Sequence, residues 1–105
     1  MLRFVILLSF LSALLAAYAP DEIVSLPGWN GALPSRQFSG YLNLTSGTHL
    51  HYWLVESENN PATDPTVVWF NGGPGCSSLD GFVYEQGPFE ITSDGTKLSP
   101  REYRW

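Results

Sequence analysis

Three patterns of apolar and polar positions follow one another along the chain. From Gln37 onward, Phe38, Gly40, Leu42 and Leu44 alternate with Ser39, Tyr41, Asn43 and Thr45, the period-two signature of a strand with one half-exposed face. Ser46-Gly47 reads as a turn and HLHYWLVE over 49–56 as a second strand, so the two predict a β-hairpin, with His49 and His51 on the same side as Trp53 and Val55. The third pattern does not alternate. TVVWFN, Thr66 to Asn71, is nearly unbroken apolar sequence rich in β-branched and aromatic residues, as expected of a strand buried on both faces inside an α/β sheet. Such a strand needs cover on both sides, and nothing else in the chain supplies it.

The connecting segments carry turn chemistry. Residues 20–35, with three prolines and two glycines, predict a loop, as does the polar SENNPATDP over 57–65. SSLDGFVYEQ predicts a short helix with Ser77 or Ser78 as its N-cap, kept brief by Gly81 and the following Gly87-Pro88. FEI at 89–91 reads as a further short strand before a Ser93-Asp94-Gly95 turn.

The first residues do not read as fold. MLRFVILLSFLSALLAAYA has Arg3, an apolar core from Phe4 to Leu15, and small residues ending in Ala17 and Ala19, the layout of a secretory signal peptide over residues 1–19. Its apolar run is short against the roughly 20 residues of a membrane span. The whole chain carries five basic and ten acidic side chains, and loss of Arg3 with the leader leaves four against ten. Such a surface repels nucleic acid and anionic membrane, and neither is an expected partner. Cys76 is the one cysteine, unusual on an oxidising secretory route. The 86 residues after the leader hold twelve aromatic side chains but no second cysteine to staple a domain of marginal size. The expectation is therefore that residues 20–105 form an incomplete, N-terminal part of a larger domain.

Candidate chemistry gathers behind the apolar run, in WFNGGPGCSS at 69–78. A phosphate loop wants consecutive free N–H groups and a nearby lysine, but Pro74 has no N–H and the first basic residue after the loop is Lys97. A reactive thiol at Cys76 wants a base, and the only histidines are His49 and His51. That His-x-His pair is too few ligands for zinc, so no metal and no cofactor is expected. Gly75-Cys76-Ser77-Ser78-Leu79 matches the first half of a G-x-S-x-G nucleophile elbow and fails at Leu79. Two readings stay open: a glycine-rich turn with no ligand, or the loop that brings a backbone N–H to a developing oxyanion, a role that favours glycine because the backbone must come close.

Together these strings carry a resemblance. WFNGGPGCSSLDG at 69–81, EQGPFEI at 85–91, FSGYL at 38–42, LHYWLVES at 50–57 and LPG at 26–28 look like the N-terminal part of a serine carboxypeptidase. The resemblance implies an α/β-hydrolase fold, of which this chain would hold a β-hairpin, one inner strand and a short helix. It also implies an enzyme that releases C-terminal residues from peptides by a Ser-Asp-His triad. Carried over by position, Gly73 would be an oxyanion-hole N–H donor, and Asn71, Gly72 and Glu85 would bind the substrate's terminal carboxylate. Cys76 would pair with a cysteine outside this chain. The triad has no counterpart in the 105 residues, so the chain alone is expected to be inactive. The resemblance points to the lysosome or the cell exterior, with peptides as substrates and an oligomer as the possible state of a full-length form. The alternatives are a non-catalytic secreted binder that uses its unpaired inner strand, and an acyltransferase of serine carboxypeptidase type. Independently of these, Asn43-Leu44-Thr45 is an N-glycosylation sequon.

Overall fold

The computed structural model describes residues 18–105. The leader expected over 1–19 lies outside them but for Tyr18 and Ala19. Among the described residues no helix is long and apolar enough to cross a membrane. The chain divides into two units, one of Phe38–Leu54 with the residues up to Glu22, the other of Ile23–Gln37 with Val55–Trp105.

The first unit is built on the hairpin. Strands β2 (Gln37–Asn43) and β3 (His49–Val55) are closed by a turn in which Leu44 N–H donates to Thr48 O at 2.9 Å and Gly47 N–H to Leu44 O at 3.0 Å. Gly47 sits at φ 82°, where a Cβ would be strained. The register follows from the side chains that meet across it: Asn43 with His49, and Tyr41 with His51. Period two then puts the odd-numbered residues on one face and Phe38, Gly40 and Tyr52 on the other. Phe38 is fully buried. Gly40 leaves room for the Asp21 carboxylate, which accepts a 2.6 Å hydrogen bond from the Tyr52 hydroxyl, and that bond holds the phenol above its ordinary pKa. A two-residue strand, β1 (Glu22–Ile23), completes a sheet of order β1-β2-β3. It falls where a loop was expected, because two residues are too few to show a period.

The second unit is gathered around Phe89, which is 3% exposed. Strands β4 (Phe89–Ile91) and β5 (Leu98–Pro100) pair antiparallel, Phe89 opposite Pro100 and Ile91 opposite Leu98. The Phe82 ring meets Phe89 edge-on at 5.3 Å, and Trp29 tilts onto it at 6.1 Å. Gly28 accepts from Leu98 N–H at 2.9 Å, which seats the segment 26–31 on β5. The turn between β4 and β5 is stitched by Asp94. Its carboxylate accepts from the Thr92 hydroxyl at 2.6 Å and from the hydroxyl and N–H of Thr96 at 2.8 and 3.1 Å. Those donors hold its pKa down to about 2. β5 was not expected, since Leu98-Ser99-Pro100 is short and ends in a residue that cannot donate to a ladder. Asp64 ties the loop 57–64 together in the same way through Ser57, Asn59 and Asn60, and its pKa is lowered by those bonds. Arg104 forks onto Glu58 with two 2.7 Å hydrogen bonds, which keep that carboxyl below its usual range.

One expectation is corrected. Thr66–Asn71 belongs to no sheet, and Val67, Val68 and Phe70 are 65%, 69% and 82% exposed. The residues have the propensity of a buried strand, but among the described residues no neighbouring strand offers them donors and acceptors. The α/β layering is likewise not formed among the described residues: there are two small sheets, a four-residue α-helix, α1 (Ser78–Gly81), continued by a π turn over Phe82–Gln86, and a 3-10 turn at Ala19–Asp21.

Candidate active site

The two serines of the loop 69–78 are committed to its architecture. Ser77 is the N-cap of α1, its hydroxyl accepting from Leu79 N–H at 3.2 Å, which meets one of the donors that the first turn leaves open. Ser78 Oγ accepts the backbone N–H of Asn71 at 3.1 Å and closes the loop onto the helix. Neither hydroxyl is placed as a nucleophile.

Between these anchors the backbone turns through Gly73 at φ 143° and Gly75 at φ 94°, with a cis peptide between Gly73 and Pro74. A Cβ on Gly73 would stand 2.9 Å from Gly75 N and 3.1 Å from Cys76 N. Only glycine fits, both for its dihedral and for the amides folded against it. A Cβ on Gly72 would meet nothing, so packing here does not require that glycine. Gly72, Gly73 and Cys76 are all exposed, and Cys76 is a free thiol.

Asn71 is the best-defined side chain of the loop. Trp69 Nε1–H donates to its Oδ1 at 2.6 Å. An indole nitrogen can only donate, so the atom it meets is the carbonyl oxygen and the NH₂ of Asn71 is left to donate elsewhere. Gly81 lets this pair lie on α1: a Cβ there would overlap Trp69 Nε1 and stand 2.7 Å from Asn71 Oδ1. Gly81 is buried, and its role is closer contact rather than simply ending the helix.

Glu85 lies in the π turn Phe82–Gln86 that continues α1. Its side chain is exposed and lines an open depression of about 540 Å³ with Glu90, Pro100, Arg101, Glu102 and Tyr103. No hydrogen bond joins Glu85 to Asn71 among the described residues, so the structure assembles Asn71, Gly72 and Gly73 on one loop and leaves Glu85 on the next element. Arg101 fixes that element. Its side chain is 13% exposed, and its guanidinium donates to the carbonyls of Val83, Tyr84, Gly87 and Phe89 at 2.5, 3.3, 3.1 and 3.2 Å, bracketing Glu85 from both sides. A cation at the carbonyl end of a helical segment also opposes its partial negative charge.

Sequence reasoning named Asn71, Gly72, Gly73, Glu85 and Cys76 but missed Trp69, Ser78, Gly81 and Arg101 as their supports. Trp69 was within reach, since residues two apart on extended chain share a side. Arg101 was not, because nothing local links it to carbonyls twelve or more residues earlier. The remaining candidates lie elsewhere: Asn43 on the hairpin, and the two histidines beside it. Among the described residues no cluster of His, Cys, Asp and Glu could hold a metal.

The loop thus turns at Gly73 and Gly75, is closed by the Ser77 cap and by Ser78, and carries an asparagine whose oxygen is engaged by Trp69. The family model for serine carboxypeptidases matches residues 27–105, and the chain belongs to that family. It is 50% identical to the lysosomal protective protein of Mus musculus over 104 residues, which cover 99% of this chain and 22% of that protein. It is 50% identical to serine carboxypeptidase 1 of Hordeum vulgare over 97 residues, covering 86% of this chain and 19% of that one. A serine carboxypeptidase of Caenorhabditis elegans is 46% identical over 100 residues, covering 95% and 21%. The chain thus spans about a fifth of the length of these relatives.

Proposed function

We propose that this chain carries the substrate-carboxylate and oxyanion arm of a serine carboxypeptidase site, and that its catalytic triad is not among these 105 residues. The observation that carries the reading is the Trp69–Asn71 hydrogen bond, because it occupies the amide oxygen and leaves the NH₂ to donate, as a partner for a peptide's terminal carboxylate must. Gly72 would add a backbone donor and Glu85 a carboxyl that, when protonated, donates to the same anion. Two carboxylates side by side resist ionising together, so such a site favours acidic pH. Gly73 N–H would meet the oxyanion of the tetrahedral intermediate, a donor worth about 3 kcal/mol to the transition state. Cys76, free here, would tether the loop to a cysteine elsewhere. A leader over 1–19 would send the product into the secretory pathway, to the lysosome or outside. The exposed Val67–Phe70 run would take its neighbours from further strands of an α/β-hydrolase sheet.

The test replaces the matching segment of mouse lysosomal protective protein with residues 27–105 of this chain. In that chimera Asn71→Ala should raise KM for peptides with a free C-terminal carboxylate by about tenfold or more, the loss of one hydrogen bond to a charged group. Peptides amidated at the C-terminus should show no such change. An equal effect on both substrate classes would remove Asn71 from the carboxylate site. Glu85→Gln should flatten the acidic preference for peptide substrates, and an unchanged pH profile would remove Glu85.

A further inference from the structure

The sequon Asn43-Leu44-Thr45 is absorbed by nothing in the proteolytic reading, and the hairpin presents it unusually well. Asn43 ends β2 and is exposed, as are Leu44 and Thr45 in the turn that follows. His49, directly across the hairpin, approaches Asn43 Oδ1 through Nδ1 at 2.6 Å. The amide oxygen can only accept, so Nδ1 carries the proton and the Asn43 amide is locked with its oxygen toward β3 and its Nδ2 directed away. Nδ2 is the atom an oligosaccharide would be attached to. Two residues earlier on the same face stands Tyr41, whose ring leans on His51 at 5.2 Å and 59° yet remains 66% exposed. Ser39 in turn holds His51 Nε2 at 2.8 Å, so the ring has a fixed support beneath it.

We infer that Asn43 is an N-glycosylation site whose first sugar packs on the open face of Tyr41, making the hairpin a glycan-bearing face rather than a protein-binding one. In the reaction the Nδ2 nitrogen attacks C1 of an oligosaccharide carried on a lipid diphosphate. The C1–N bond forms, the C1–O bond to phosphate breaks, the lipid diphosphate leaves with the electron pair, and the amide gives up one proton. The C–H face of a pyranose carries slight positive charge and the face of an aromatic ring slight negative charge, which favours their contact. The inference does not depend on the chain's part in proteolysis.

The experiment fuses the full chain behind a standard secretory leader, translates it with microsomes and examines the protease-protected product. The expected result is a mobility shift that endoglycosidase removes and that Thr45→Ala and Leu44→Pro both abolish. A protected product without glycan at Asn43 would overturn the site. Hydrogen exchange of the hairpin amides, compared with and without the glycan, then tests the packing. The glycan should slow exchange about threefold, the size of one cross-strand side-chain contact. Tyr41→Ser should erase that difference while Tyr41→Phe keeps it. A glycan effect of equal size in the Tyr41→Ser chain would overturn the role of Tyr41, leaving attachment itself to the first result.

Discussion

Two apolar stretches of this protein carry comparable strand chemistry and meet opposite fates. Phe89-Glu90-Ile91 is three residues long, yet it pairs with Leu98–Pro100 and buries Phe89 to 3% exposure under Trp29 and Phe82. Thr66–Phe70 is longer and richer in β-branched and aromatic residues, yet it pairs with no strand among the described residues and leaves Phe70 82% exposed. Propensity therefore does not separate them. What separates them is a partner: the Asp94 turn returns the chain onto β4, and no turn returns it onto 66–70. The stretch that leads into the candidate site is the one that pairs with no strand among the described residues, while the loop at its end is already closed by Ser77, Ser78 and Gly81.

The sharpest way to break this comparison is to cut the same ring from both stretches. Phe89→Ala should cost about 3–5 kcal/mol, the usual loss for a buried aromatic, and should release the amides of Thr92 and Leu98 to free exchange. Phe70→Ala should change the stability of this chain by no more than about 0.5 kcal/mol, as for an exposed position. Similar costs at the two sites would show that 66–70 is packed after all.

Next in size is Arg101→Ala. It removes a nearly buried cation from four carbonyls, with an expected loss of about 2–3 kcal/mol, from hydrogen bonds that involve a charged group. Exchange should accelerate across 82–91 and not across the hairpin of β2 and β3. A loss spread evenly over both would contradict a local clamp.

Gly73→Ala should cost about 1–3 kcal/mol in the loop, the range for a side chain forced into a sparsely populated backbone region. Gly72→Ala should be near neutral, since a Cβ there has open space. Backbone chemical shifts of 71–78 would report both, and equal perturbation by the two would remove the special status of Gly73.

The smallest effect is the pH response of the β4–β5 turn. Asp94 titrates near 2 in the folded chain against roughly 4 when unfolded. A depressed carboxyl pKa contributes stability fully above the unfolded value, and that contribution is lost as pH falls from about 4 through about 2. The Thr96 amide shift should follow a titration centred near 2. A midpoint near 4 would mean that the Thr92 and Thr96 hydrogen bonds do not hold in solution.

The hairpin, its turn at Gly47, a helix cap at Ser77 or Ser78 and the β4 strand were legible because each depends on residues close in sequence, and the structure assigns the cap to Ser77. The candidate site residues could be named because the strings around Asn71 and Gly73 are distinctive in themselves, and their roles belong to the proposed function. What could not be read was set by distant contacts. Arg101 acts on carbonyls twelve to eighteen residues away, Gly28 receives its bond from Leu98, and Asp21 reaches Tyr52 across 31 residues. The strand at 66–71 was misread for the converse reason. Its composition speaks for burial on both faces, and composition says nothing of whether the covering elements are at hand.

The most direct test of the whole account is a comparison of peptidase activity between the 105-residue chain and the chimera that carries its residues 27–105 within mouse lysosomal protective protein. The account predicts no release of C-terminal residues by the chain alone, release by the chimera, and a fall of about a hundredfold in kcat when Gly73 is replaced by valine and its N–H is displaced. Activity in the chain alone, or a folded chimera indifferent to Gly73, would contradict it.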